Sequence, residues 1–118
     1  MKYLIIAAVS IIVIYLSYRT YRHMTLAEGL AQKISNGAII LDVRTEREFS
    51  TGHIKGAVNI SLGTIRERFS ELDRTKTYIT TGSHGLRSVK AVSLLKEQGF
   101  KNVYNGGAWS DLERVMEQ

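Results

Sequence analysis

Ala38-Ile39-Ile40-Leu41-Asp42-Val43 is a nearly unbroken apolar run, interrupted by a single carboxylate. A strand with one wet face alternates apolar and polar residues, whereas successive apolar positions mark a strand covered on both faces, as in a parallel sheet between helices. Before this run, Thr25-Leu26-Ala27-Glu28 has the pattern of a capping box. Leu26, Leu30 and Ile34 follow at helical spacing and Asn36-Gly37 supplies a stop, so one short amphipathic helix is expected there. After the run, Thr45-Glu46-Arg47-Glu48 and Thr64-Ile65-Arg66-Glu67 repeat the capping pattern and each predicts a brief helix. Ala57-Val58-Asn59-Ile60, Thr77-Tyr78-Ile79-Thr80-Thr81 and Asn102-Val103-Tyr104 read as three more strands. A longer helix is expected from Arg87 to Gln98, with Val89, Val92, Leu94 and Leu95 on its buried side and Gly99 as its stop. A last one is expected from Ser110 to Met116. Strands alternating with helices predict a single α/β domain with a mainly parallel sheet flanked by helices.

The 118 residues allow one domain, and 44% hydrophobic with 23% charged residues suits a packed core rather than a disordered tail. There is no cysteine, which removes disulfides, thiolate metal ligation and any cysteine nucleophile. His23, His53 and His84 are widely separated and show no ligand spacing, so neither a metal nor another cofactor is expected. The net charge of +5 is concentrated at the N-terminus: residues 1–23 hold Lys2, Arg19 and Arg22 and no acid, and the rest holds 13 cations against 11 acids. A globule so nearly balanced, without basic runs, argues against nucleic acid as a partner.

Tyr3 to Tyr18 reads YLIIAAVSIIVIYLSY, with Ser10 and Ser17 its clearly polar residues. As a helix it covers about 24 Å, short of a hydrocarbon layer of roughly 30 Å, but the tyrosines and the stems of Lys2, Arg19 and Arg22 extend its reach. A cleaved signal peptide would need a small-residue cleavage site; here Ser17-Tyr18-Arg19-Thr20-Tyr21-Arg22 follows instead. A buried core helix is the third alternative, disfavoured by apolar residues on every face. The reading is a transmembrane helix at 3–18, a basic juxtamembrane linker at 19–24 and a folded domain at 25–118. Arg19 and Arg22 against Lys2 and the terminal amine place that domain on the cytoplasmic side, by a margin of one charge or less.

Ligands of such sheets bind where strands feed helix N-termini. Gly82-Ser83-His84-Gly85-Leu86-Arg87-Ser88 lies between the third strand and the long helix, so backbone N–H groups, the helix dipole and Arg87 form an expected anion-binding loop. An ordinary glycine-rich turn is the plainer alternative.

Leu41-Asp42-Val43-Arg44, Glu48-Phe49 and Gly52-His53-Ile54-Lys55-Gly56-Ala57-Val58-Asn59-Ile60 together resemble the opening of a rhodanese-like (sulfurtransferase-homology) domain. The resemblance extends over roughly residues 25–112, through the loop, whose family form is C-x-x-G-x-R-S, to Gly106-Gly107. It departs near the end, with Asp111 where the family often has an aromatic residue and Trp109 two positions earlier. It implies a sulfurtransferase fold in which a loop cysteine takes a sulfane sulfur as a persulfide and passes it on. Aligning Gly85, Arg87 and Ser88 puts Gly82 at that cysteine's position, and a glycine cannot carry sulfur.

Ser83 beside His84 has no orienting third group, so His84 reads as a solvent-facing loop residue. His53 is expected to order the loop before the second strand. Asp42, ending a buried strand, should be paired with an arginine or with loop backbone. Arg44 has two readings, positive potential beside the anion loop or a structural pair with Glu48. The function that follows is a membrane-anchored module binding a small sulfur-containing or other oxyanion, or a protein partner, without catalysis; the alternative is a thiosulfate or persulfide sulfurtransferase. The apolar run predicts that the full chain stays with membranes through an alkaline carbonate wash, because about 16 buried apolar residues hold far more strongly than a reversible surface helix. Release into the supernatant, or a mature form cut near residue 18, would refute the anchor.

Overall fold

A computed structural model describes residues 1–117, with the side chains of residues 23–28 outside the described set. Four strands, β1 (Ile39–Asp42), β2 (Val58–Asn59), β3 (Tyr78–Gly82) and β4 (Val103–Ala108), form one sheet in the order β2-β1-β3-β4. Every pairing is parallel. The apolar run lies at the centre, as its composition requires. Leu41 and Val43 join Ile60, Ile65, Tyr78, Ala91, Leu95, Phe100 and Val103 in one core layer. Ile40 joins Ile54, Ile79 and Leu112 in the other, where Leu30, Ile34 and Trp109 pack against them.

The first helix, α1 (Lys2–Ser35), is longer than the sequence pattern predicts. Instead of a span, a linker and a new helix at Thr25, the helical backbone continues through 19–24, since residues 2–28 contain neither glycine nor proline to end it. The side chains of the expected Thr25–Glu28 capping box lie outside the described residues. The stop is where it was expected: Gly37 has φ +99°, its N–H donates to the Ile34 carbonyl, and the Ala38 N–H donates to the Lys33 carbonyl, a Schellman pattern.

In α2 (Glu46–Ser50) the expected capping box is formed, the Glu48 N–H donating to Thr45 Oγ1 and the Thr45 N–H to Glu48 Oε1. In α3 (Ile65–Arg68) it is not. A 3-10 turn over Leu62–Thr64 leads straight into this helix, which leaves Thr64 helical rather than extended, and its hydroxyl turns back to Ser61. The fourth helix, α4 (Leu86–Glu97), ends in a second Schellman pattern at Gly99, which drops Phe100 into the core. Its buried side is Ser88, Ala91 and Leu95, with Val92 and Leu94 half-buried. Val89, expected inside, is 50% exposed, because it sits a residue off that i, i+3, i+7 stripe. The chain closes with α5 (Trp109–Met116), which packs on α1 and β4.

β4 runs well past the expected Asn102-Val103-Tyr104, since Asn105-Gly106-Gly107 stays alongside β3 with a register shift between Thr80 and Gly82. A Cβ at Gly106 would meet Ile79 Cγ2 at 2.7 Å, the Thr80 carbonyl oxygen at 2.8 Å and Leu112 Cδ2 at 2.9 Å. Two of these are core side chains and one is backbone, so none can yield cheaply. Gly106→Ala should therefore cost about 1–3 kcal/mol of stability. Gly63→Ala, where a Cβ meets nothing within 4 Å, should stay within about 0.5 kcal/mol. Urea unfolding checks both, and an unaffected Gly106→Ala would refute the tight approach of β4 and α5.

Candidate functional site

Two charged clusters meet at the carboxyl ends of β1 and β3. The first is built on Asp42 and Arg44, both almost wholly buried. Asp42 accepts from the Arg44 backbone N–H at 3.0 Å, from Nε at 3.0 and 3.1 Å and from NH2 at 2.7 Å. Asn59 Nδ2 donates to the backbone carbonyls of both residues, and Arg44 donates further to the carbonyls of Glu48 and Gly52. The face of Trp109 lies 4.8 Å from the guanidinium. The expected pairing of Asp42 with an arginine and with loop backbone is present. Neither reading of Arg44 is: its charge is spent on Asp42 two residues away, and it meets Glu48 through the carbonyl, not the carboxylate. A buried guanidinium is pulled to the carboxylate that shares its dry environment.

The second cluster holds the loop. Glu48 reaches out of α2, and both its oxygens are taken by Arg87, NH1 to Oε1 at 2.7 Å and NH2 to Oε2 at 2.8 Å. Ser83 Oγ donates to Oε2 at 3.0 Å and accepts from Arg87 NH2 at 2.9 Å. The Arg87 contact, joined by the Thr45 N–H, holds the Glu48 carboxyl well below the usual carboxylate range, and Arg87 is raised in turn. A carboxylate so stabilised is a poor base, so it does not activate the Ser83 hydroxyl. His84 is exposed and makes no hydrogen bond or ion pair among the described residues, so no Ser83–His84 pair exists. His53 does what was expected of it, with Nδ1 2.8 Å from the Phe49 carbonyl oxygen and its ring stacked on Phe49.

The loop's shape is set by Gly85 and by contacts to β4. Gly85, with φ +87°, caps α4, and its missing Cβ would point at Gly107 Cα 3.6 Å away. Ser88, buried, places Oγ 2.6 Å from Asn105 Oδ1, which also accepts from the Gly107 N–H. Thr81 Oγ1 donates to the Gly107 carbonyl and Thr80 Oγ1 to that of Ser88. Leu86 projects into solvent, 82% exposed. The backbone N–H groups of residues 84–88 have no protein acceptor among the described residues, as the first turn of a helix dictates. Gly82 ends β3 in a buried position, beneath this turn. Its φ is not positive, and a Cβ there would find only Arg87 Cβ and the Ser88 backbone nitrogen, each at 3.8 Å. The position would accept a Cβ without strain.

The pattern of the Rhodanese-like domain family matches residues 26–110. The chain belongs to the rhodanese-like family. Its relatives include a thiosulfate sulfurtransferase GlpE from Pseudoalteromonas translucida, 32% identical over 75% of this chain and 89% of the relative. A tRNA uridine(34) hydroxylase from Cytophaga hutchinsonii is 37% identical over 73% of this chain, which spans only 29% of that protein. Among solved structures, a rhodanese-related protein from Thermoplasma volcanium superposes with a TM-score of 0.65 at 31% identity, covering 75% of this chain and 86% of the other. The matched stretch includes the loop 82–88, and the chain carries no cysteine anywhere.

The seven loop residues expected in the site run consecutively from the end of β3 into α4, and Arg44, paired with Asp42, holds the Glu48 carbonyl in α2. What sequence reading missed is Glu48 as the partner of Arg87, with Asn105 and Thr81 as the loop's braces. Glu48 sits 39 positions before Arg87, and its capping pattern accounted for it locally. Because folding lowers its proton affinity, Glu48 adds stability that is present above its unfolded value of about 4.3 and fades as pH falls below it. Glu48→Gln should therefore be less stable than the parent at about pH 7, the gap narrowing as pH drops through about 4 toward 2. Denaturant unfolding at several pH values measures this, and a gap that widens in acid would refute the coupling.

Proposed function

We propose that this chain is a membrane-anchored, non-catalytic rhodanese-like module, which binds an oxyanion or a protein partner through the loop 82–88. The observation that carries this reading is Gly82: the nucleophile's place holds no side chain, and no thiol exists elsewhere in the chain to replace it. The surface around the loop suits a partner, since Leu86 and Val89 present an apolar edge beside it. The anchor rests on Lys2–Arg22, a helix segment long and apolar enough to cross a membrane, whose side chains are exposed throughout. Arg19 and Arg22 favour a cytoplasmic domain. The names of relatives such as GlpE favour a second reading, thiosulfate or persulfide sulfurtransfer. That reading requires a sulfur carrier this chain lacks.

Assay of the purified chain for thiocyanate formation from thiosulfate and cyanide should show no rate above the uncatalysed background. Gly82→Cys should fold, because the position tolerates a Cβ, and its thiol would lie over the first turn of α4, where the thiolate is favoured. Incubation with thiosulfate should then add the mass of one sulfur atom to that variant, with sulfite as the leaving group. Turnover by the cysteine-free parent would overturn the non-catalytic reading.

A further inference from the structure

The loop's cationic fork is already filled by the chain itself. Arg87 NH1 and NH2 and the Ser83 hydroxyl all converge on one carboxylate, in the bidentate geometry by which arginine holds carboxylates and phosphates. Glu48 is also anchored from its own side, Oε1 accepting from the Thr45 N–H at 3.1 Å and from Thr45 Oγ1 at 3.0 Å. It cannot swing away without loosening the start of α2. The neighbouring cation is neutralised as well, Arg44 by Asp42. Two cations and two carboxylates therefore cancel beside the loop, and a free sulfate or phosphate arriving there finds the Arg87 guanidinium already paired.

We infer that Glu48 is a specificity-determining residue that acts as the loop's internal competitor: its carboxylate occupies the Arg87–Ser83 fork and excludes free small oxyanions, and removing its charge turns the fork into an open oxyanion site. This rests on the anion-binding reading of the loop above and names what that loop refuses in its resting state. Only an oxyanion able to displace a capped carboxylate gains the fork, so the oxyanion of that reading is one held by further contacts, as on a protein partner, and simple inorganic anions bind the native chain weakly. Glu48 acts here through Arg87 and Ser83 and takes no part in any chemistry.

The test is titration of the isotope-labelled full chain in detergent micelles with sodium sulfate and, separately, sodium thiosulfate, against sodium chloride at matched ionic strength, following the backbone amides of residues 83–88. The parent, Glu48→Gln and Glu48→Gln/Arg87→Ala are compared. Glutamine suits the third position of a capping box, so α2 should keep its start. Expected is an affinity about tenfold or more higher in Glu48→Gln than in the parent, the gain of one freed charge-assisted contact, and lost again in the double variant. A parent that binds as tightly as Glu48→Gln, with binding abolished by Arg87→Ala, would overturn the competitor while leaving the loop as an anion site. No amide response in any variant would overturn both readings. Glu48→Ala serves as the second probe if Glu48→Gln loses the native spectrum, and loss of the fold in both would show Glu48 to be structural alone, refuting the inference.

Discussion

The buried pair of Asp42 and Arg44 is the constraint around which the functional end of the domain is arranged. Both groups are withdrawn from water at the end of a strand covered on both faces, and neither could remain charged there alone. Such a pair contributes little net stability over apolar packing, but losing one partner strands the other at a cost of about 3–5 kcal/mol. Its value is positional. The guanidinium also holds the carbonyls of Glu48 and Gly52 and lies against Trp109, so one side chain ties β1 to α2, to the turn after it and to the start of α5. With α2 fixed, the Glu48 carboxylate is delivered to Arg87.

The loop over Gly82 is thereby held from two sides. From one side Glu48 grips Arg87 and Ser83; from the other Asn105, Thr80 and Thr81 brace Ser88 and Gly107. The N–H groups at the start of α4 meet no protein acceptor among the described residues, the arrangement by which a helix N-terminus favours an anion. A strand end with ordinary φ and a free Cβ direction shows that glycine at 82 answers no steric demand of this fold, unlike Gly106, which the packing requires.

Where the physics is local, the local pattern suffices. The Schellman stops at Gly37 and Gly99 and the Thr45–Glu48 box depend on residues within a few positions of one another, and each formed as expected. The failures share a cause. Thr64 matched the same capping pattern but lies inside a 3-10 turn; Val89 is as apolar as its neighbours but faces out; and a helix expected to start at Thr25 continues one begun at Lys2. Motif and composition name the candidate residues, while the preceding backbone decides which of them are used.

The sequence by itself determined the parallel α/β architecture, through an apolar run that only a doubly covered strand can bury, and the place of the loop between β3 and α4. It also determined that no thiol chemistry resides in this chain, because that is a matter of composition. The tertiary structure decided which charges meet. Asp42, Glu48, Arg44 and Arg87 allow several pairings, and choice among them follows from burial, which commits Arg44 to the equally buried Asp42 and leaves Glu48, at the rim, to close over Arg87. Desolvation at each site sets that outcome, and desolvation exists only once the chain has folded.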